Sequence, residues 1–128
     1  MIGGLISVVL GSVLGTVARY FVSGFVARRV GETFPWGTFL INVSGAFVIG
    51  IVGGLARDPG SVFASPDAWL FAVTGILGAY TTVSSFSLQT LNLARDGEGT
   101  RAGLYIVFSV ALCLSAATLG FALVDGLK

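Results

Sequence analysis

Apolar residues fill long stretches of this chain, and charged residues are confined to the gaps between them. A helix crossing about 30 Å of hydrocarbon needs roughly 20 mostly apolar residues. Four stretches reach that length: about Ile2 to Ala27, Trp36 to Ala56, Ala68 to Ala94 and Ala102 to Val124. Only the first carries a charge well inside it, Arg19. The gaps hold Arg28, Arg29 and Glu32, then Arg57, Asp58 and Asp67, then Arg95, Asp96, Glu98 and Arg101. Turn formers mark the same gaps: Pro35, Asp58-Pro59-Gly60, Ser65-Pro66-Asp67 and Asp96-Gly97. Asp67 after Ser65-Pro66 predicts the start of the third helix. The pattern predicts an all-α membrane protein: one four-helix transmembrane domain over residues 1–128, with both termini on one side.

Composition narrows the choice of function. Hydrophobic residues make up 55% and charged residues 10% of the 128, where a soluble domain carries about 25% charged. The mean hydropathy is +0.95. Seven basic residues are offset by six acidic ones with no long basic run, which argues against a nucleic-acid partner. The absence of His and the single Cys exclude disulfides within one chain, His/Cys metal centres and His-based catalysis. The first span has no Lys or Arg ahead of it and is too long for a cleaved signal peptide. Basic residues are divided nearly evenly between the two sides. Arg57 and Lys128 lie on the terminal side, against Arg28, Arg29, Arg95 and Arg101, with Arg19 in addition, on the other. The excess favours the first and third loops in the cytoplasm, and so small a bias is compatible with insertion in both orientations.

Polar residues inside the spans carry the chemistry. Glycine supplies 19 of 128 residues, and the pairs Gly11/Gly15 and Gly50/Gly54 read as close helix packing. Thr38 and Asn42 share one face of the second helix. Two readings stand for Asn42: interhelical glue, or an NH donor facing a permeant anion. In the third span, six of the fourteen residues from Thr74 to Ser87 are Ser or Thr. Such hydroxyls can satisfy backbone groups freed by an interruption, and the segment predicts a helix break near Gly78 to Thr82. Free carbonyls there would suit a small cation, and a half-helix N-terminus an anion. Ser109 and Cys113 share a face of the fourth span, followed by Ser115 and Thr118. Arg19 either snorkels to the interface or sets a positive potential at a pore mouth.

Three motifs in this order resemble the Fluc (CrcB) family of fluoride channels. They are Gly15-x-x-x-Arg19-Tyr20, Pro35-Trp36-Gly37-Thr38 with Asn42, Gly45 and Gly50, and Gly75-x-x-Gly78-x-x-Thr81-Thr82-x-Ser84-x-Phe86-Ser87. The resemblance covers the whole chain and implies a fluoride-selective channel for passive efflux, giving resistance to fluoride toxicity. It also implies a bacterial inner-membrane location, an antiparallel dual-topology dimer and two fluoride pathways along the subunit interface. A central sodium ion would be held by the backbone carbonyls of Gly78 and Thr81. Asn42 and Phe86 would face the pore, Thr38, Ser84, Ser85 and Ser109 would supply hydroxyls, and Arg19 would shape the vestibule. Three positions depart from the family pattern. Val83 stands where a second pore Phe is usual, Gly78-Ala79-Tyr80 replaces the usual Gly-Gly, and Cys113 replaces a fourth-helix Ser. Without an aromatic edge at Val83, either the pathway tolerates the loss in a homodimer or a second, different subunit supplies the Phe in a heterodimer.

Neutral donors suit such a pore. Fluoride is strongly hydrated, and its dehydration must be offset by several donors in a low-dielectric site. Hydroxyls, an amide and ring edges do this without the tight trapping that a buried lysine would impose. Two other readings compete. A small dual-topology multidrug-type exporter matches the length, but needs a titratable carboxylate within a span, and none is present. An accessory membrane subunit would use its Gly and Ser residues for packing alone. No nucleophile–base pair can be assembled, so the sequence predicts no enzyme.

Overall fold

A computed structural model describes residues 2–31 and 33–127; Met1 and the loop and terminal charges Glu32 and Lys128 lie outside them. Helix α1 (Ile2–Val30) and α2 (Trp36–Ala56) form the first hairpin. A short 3₁₀ turn (Val62–Ala64) leads into the third span, which is assembled from pieces. These are α3 (Pro66–Trp69), a π-helical stretch (Leu70–Leu77), α4 (Gly78–Tyr80) and α5 (Val83–Arg95). Helix α6 (Gly99–Asp125) completes the chain. Four segments, Ile2–Val30, Trp36–Ala56, Pro66–Arg95 and Gly99–Asp125, are long and apolar enough to cross a membrane.

The ends of these helices have local causes. Arg28 and Arg29 continue α1 past Ala27, and Gly31 at φ +83° stops it, its N–H closing on the Ala27 carbonyl at 3.0 Å. Ser65 caps α3 by accepting from the Ala68 N–H, with Pro66 in the first turn. The third span therefore begins at Pro66, two residues ahead of the expected Ala68. Gly97 at φ +80° turns α5 into α6, and the Glu98 N–H reaches back to the Leu93 carbonyl at 2.9 Å. That turn lets α6 start at Gly99 rather than Ala102.

Packing follows the small residues. Helix α2 lies along α6, and α1 lies along the π-helical stretch. A Cβ placed on Gly11 would come within 2.3 Å of the Phe71 carbonyl oxygen, and one on Gly15 within 2.1 Å of that of Ile76. The first-span glycine pair thus does what its spacing predicts: it lets two backbones touch. The third span meets this face as a π-helix, which the sequence pattern does not anticipate. Its partner face on Gly75 is equally bare, a Cβ there meeting Gly11 Cα at 2.9 Å. At the terminal end, Arg57 of the α2 C-cap pairs with Asp125 of α6 at 3.2 Å. Both partners are exposed, so this pair contributes less than about 1 kcal/mol. Large apolar side chains stay exposed on the outer faces, among them Leu5, Val9, Val13, Leu114 and Leu123, as contact with lipid requires.

Candidate functional site

The third span breaks at Thr81 and Thr82, inside the expected interval. Thr81 is extended at φ −77°, ψ 161° and Thr82 at φ −154°, ψ 118°. In an unbroken helix the Thr82 N–H would donate to the Gly78 carbonyl. Here it donates to Asn42 Oδ1 at 2.8 Å, and Asn42 Nδ2 donates to the Thr82 carbonyl at 3.0 Å. One amide therefore satisfies both backbone polar groups of Thr82, and the Gly78 carbonyl loses its helical donor. One turn along α2, Gly45 leaves room for the Thr81 methyl: a Cβ there would lie 2.3 Å from Thr81 Cγ2.

Beyond the break, α5 starts with a cap. Thr82 Oγ1 accepts from the Ser85 N–H at 3.2 Å and donates to Ser85 Oγ at 3.1 Å, with Ser84 Oγ 3.3 Å away. Before the break, the Thr81 hydroxyl donates to the Leu77 carbonyl at 2.9 Å. The Thr81 carbonyl accepts from Arg19 Nη1 at 3.3 Å. Arg19 also lines an outer groove with Thr16, Tyr20 and Arg28. Neither snorkelling nor a pore-mouth position, the two sequence readings of Arg19, includes this contact with the break.

A cleft of about 440 Å³ opens beside the break. Asn42, Gly78, Thr81, Val83, Phe86 and Ser109 all line it, as do Thr82 and Cys113. Ser109 is 7% exposed, and its Oγ has no hydrogen-bond partner among the described residues. Val83, 77% exposed, stands at the rim. Three of the expected hydroxyls lie elsewhere. Thr38 lines a separate cavity of about 430 Å³ with Phe34, Gln89, Asn92 and Asp96, while Ser84 and Ser85 are engaged in the Thr82 cap and line neither cavity.

Tyr105 lies between residues of the two cavities, and the sequence reading passed over it. It is fully buried, donates to Gln89 Oε1 at 3.2 Å, and has its ring 5.0 Å from Phe86 and 5.3 Å from Phe34. The signal was present: Tyr105, Ser109 and Cys113 follow at intervals of four along one face of α6. Thr82, Tyr80 and Ser44 also went unassigned; the last two share a hydrogen bond of 2.9 Å.

A family profile described as CrcB-like protein, Camphor Resistance (CrcB), matches residues 6–121. The chain belongs to the CrcB family. Among curated relatives, it is 67% identical to fluoride-specific ion channel FluC 2 of Bradyrhizobium diazoefficiens, over 99% of this chain and 93% of that one. It is 62% identical to fluoride-specific ion channel FluC 2 of Rhodopseudomonas palustris, over 95% and 93%. Fluoride-specific ion channel FluC 3 of Brucella suis is 52% identical over 91% and 87%. With four spanning helices, this CrcB-family chain is a multi-pass membrane protein of bacterial type. No group of three or more His, Cys, Asp or Glu that could hold a metal ion occurs among the described residues.

Proposed function

We propose that this chain is the subunit of a fluoride-selective channel that lets fluoride leave the cell passively. The observation that carries the reading is the cleft at the helix break, in a chain 67% identical to a fluoride-specific ion channel. Asn42, Phe86 and Ser109 line it together. Each is neutral. An OH or NH donor hydrogen-bonds a small anion strongly in a low-dielectric cleft, and an aromatic edge presents positive potential to it. Asn42 commits one Nδ2 proton to Thr82 and keeps a second. The two readings of Asn42 are thus compatible: it holds the break and can face an ion. With no carboxylate in the cleft, proton-coupled export of cations finds no titrating group there.

The working unit is an antiparallel, dual-topology dimer. In a single chain the cleft stands open and Val83 at its rim is exposed, so a second subunit closes the pathway. The near-even split of loop charge allows both orientations. A sodium ion at the dimer centre suits the break. The Gly78 carbonyl has lost its helical donor, and the Thr81 carbonyl accepts from Arg19 and keeps a second lone pair. Two such carbonyls per chain give four across a two-fold axis, a neutral oxygen set that a hard monovalent cation fits. When bound, the ion supplies positive charge at the centre of the assembly. Arg19 and Asn42 orient the peptides that would hold it.

Fluoride and chloride efflux from liposomes containing only this protein tests the function. Fluoride release without chloride release is expected; no fluoride release from folded protein rejects the homodimer and calls for a partner subunit carrying the Phe that Val83 replaces. Sodium is tested separately by melting the protein in sodium and in a large organic cation. At a hundredfold excess over its Kd, a native-state ligand adds about 2.7 kcal/mol, so melting is expected to rise saturably with sodium. A melting temperature indifferent to sodium removes the ion from the site.

A further inference from the structure

Tyr80 is the last residue of α4, immediately before the break, and it is tied to α2. Its hydroxyl lies 2.9 Å from Ser44 Oγ, and Ser44 Oγ donates to the Ile41 carbonyl at 3.1 Å. A serine hydroxyl has one proton to give, so Tyr80 is the donor to Ser44. Hydrogen bonds linked in series in this way strengthen one another. Beside the pair lies Gly45. A Cβ there would sit 3.4 Å from Tyr80 Cδ1 and 2.3 Å from Thr81 Cγ2, so one bare patch of α2 takes both the tyrosine ring and the threonine methyl.

Three consecutive residues are thus held by side chains from outside the third span: Tyr80 by Ser44, the Thr81 carbonyl by Arg19, and both backbone polar groups of Thr82 by Asn42. The three holds are not equivalent. Arg19 takes the carbonyl and Asn42 the N–H of the same peptide unit, Thr81–Thr82. Both act downstream of α4, which carries the Gly78 carbonyl. Helix α4 spans three residues, too few to hold their own geometry. Among the described residues, Tyr80 makes the one side-chain hydrogen bond that joins α4 to another helix.

We propose that Tyr80 is a positioning residue for the cation at the break: through Ser44 it fixes the end of α4, and with it the placing of the Gly78 carbonyl relative to that of Thr81. The inference rests on the sodium reading for its ligand. A small cation gains from a pair of carbonyls only when both reach it together. If α4 is released, a fraction of the chains leaves that arrangement, and the apparent affinity falls by the same fraction. Such a role differs from plain stabilisation. A bond that only holds the fold lowers melting equally with and without sodium, whereas a positioning bond also moves the sodium concentration at which melting begins to rise.

Sodium chloride is the probe, exchanged against a large organic cation at constant ionic strength, and the melting temperature of the purified protein is the readout. Tyr80→Phe keeps the ring over Gly45 and removes only the donor. Its sodium onset is expected about fivefold above that of the parent, the equilibrium worth of one neutral hydrogen bond. Ser44→Ala is expected to move the onset by a similar factor, and the double variant no further, because the two groups make one bond. A parent that responds to sodium, with Tyr80→Phe sharing its onset, would overturn the role of Tyr80 and leave the ion in place. Shifts that add in the double variant would also overturn it, since the two hydroxyls would then act separately. A parent whose melting ignores sodium would remove the ion itself, and this role with it. Tyr80→Phe decides alone if Ser44→Ala does not fold.

Discussion

Replacing Asn42 with Ala lowers both the melting temperature of the protein and its fluoride efflux. The reason is that one side chain serves both polar groups of Thr82, at 2.8 and 3.0 Å. Removing it strands an N–H and a carbonyl at the break. Each orphaned buried group costs about 1–3 kcal/mol, so a loss of a few kcal/mol is expected. The break would either collapse toward a continuous helix, pairing Thr82 with Gly78 again, or hydrate. Both outcomes move the carbonyls of Gly78 and Thr81 and the cap that starts α5. Efflux should fall by at least about tenfold, since conduction depends on fixed groups at close quarters. Asn42→Asp is a sharper variant. It keeps an acceptor for the Thr82 N–H, but sets a carboxylate against the Thr82 carbonyl and in the path proposed for the anion. It is expected to lose efflux at least as completely as Asn42→Ala. Melting curves and liposome efflux on the same preparations check both. Unchanged melting in Asn42→Ala would mean that the clamp does not hold the break.

The parts of this molecule legible in its sequence are those set by local composition. About 20 apolar residues fix a span, and the four spans appear with their ends shifted by a few residues where caps intervene. Ser65 and Gly97 are examples: the turn chemistry was visible, but not which neighbouring residue would continue the helix. The density of Ser and Thr from Thr74 to Ser87 located the break because hydroxyls are needed wherever backbone leaves its ladder in a membrane. What was not legible depends on contacts between distant segments. The π-helical stretch Leu70–Leu77 has no pattern of its own and faces the bare glycine surface of α1. Arg19 meets Thr81 across 62 positions and Asn42 meets Thr82 across 40, and no spacing rule reaches so far. The hydroxyls are sorted only by the fold. Ser109 enters the cleft, Ser84 and Ser85 complete a cap, and Thr38 belongs to the neighbouring cavity.

Gly50→Ala is expected to be among the most damaging of the small substitutions, and Gly53→Ala among the mildest, although they lie three residues apart on one helix. A Cβ on Gly50 would sit 2.1 Å from the Ala117 carbonyl oxygen, and one on Gly120 would sit 2.2 Å from that of Phe47. The two glycines are reciprocal, each opening its helix to the other's backbone, so α2 and α6 touch main chain to main chain. Overpacking a core costs about 1–3 kcal/mol where side chains can shift. Here the obstacle is a carbonyl fixed in its own helix, so α2 must lift off α6 along its length. That movement would also separate Asn42 from Ser109, which sit on these two helices and share the cleft. A Cβ on Gly53 meets nothing within 4 Å, and replacing a helical Gly by Ala gains about 0.5–1 kcal/mol of backbone entropy. Gly53→Ala should therefore melt at or above the parent temperature and conduct normally, while Gly50→Ala yields little folded protein. Equal yields and equal melting for the two variants would contradict backbone contact between α2 and α6, and with it the position of Ser109 opposite Asn42.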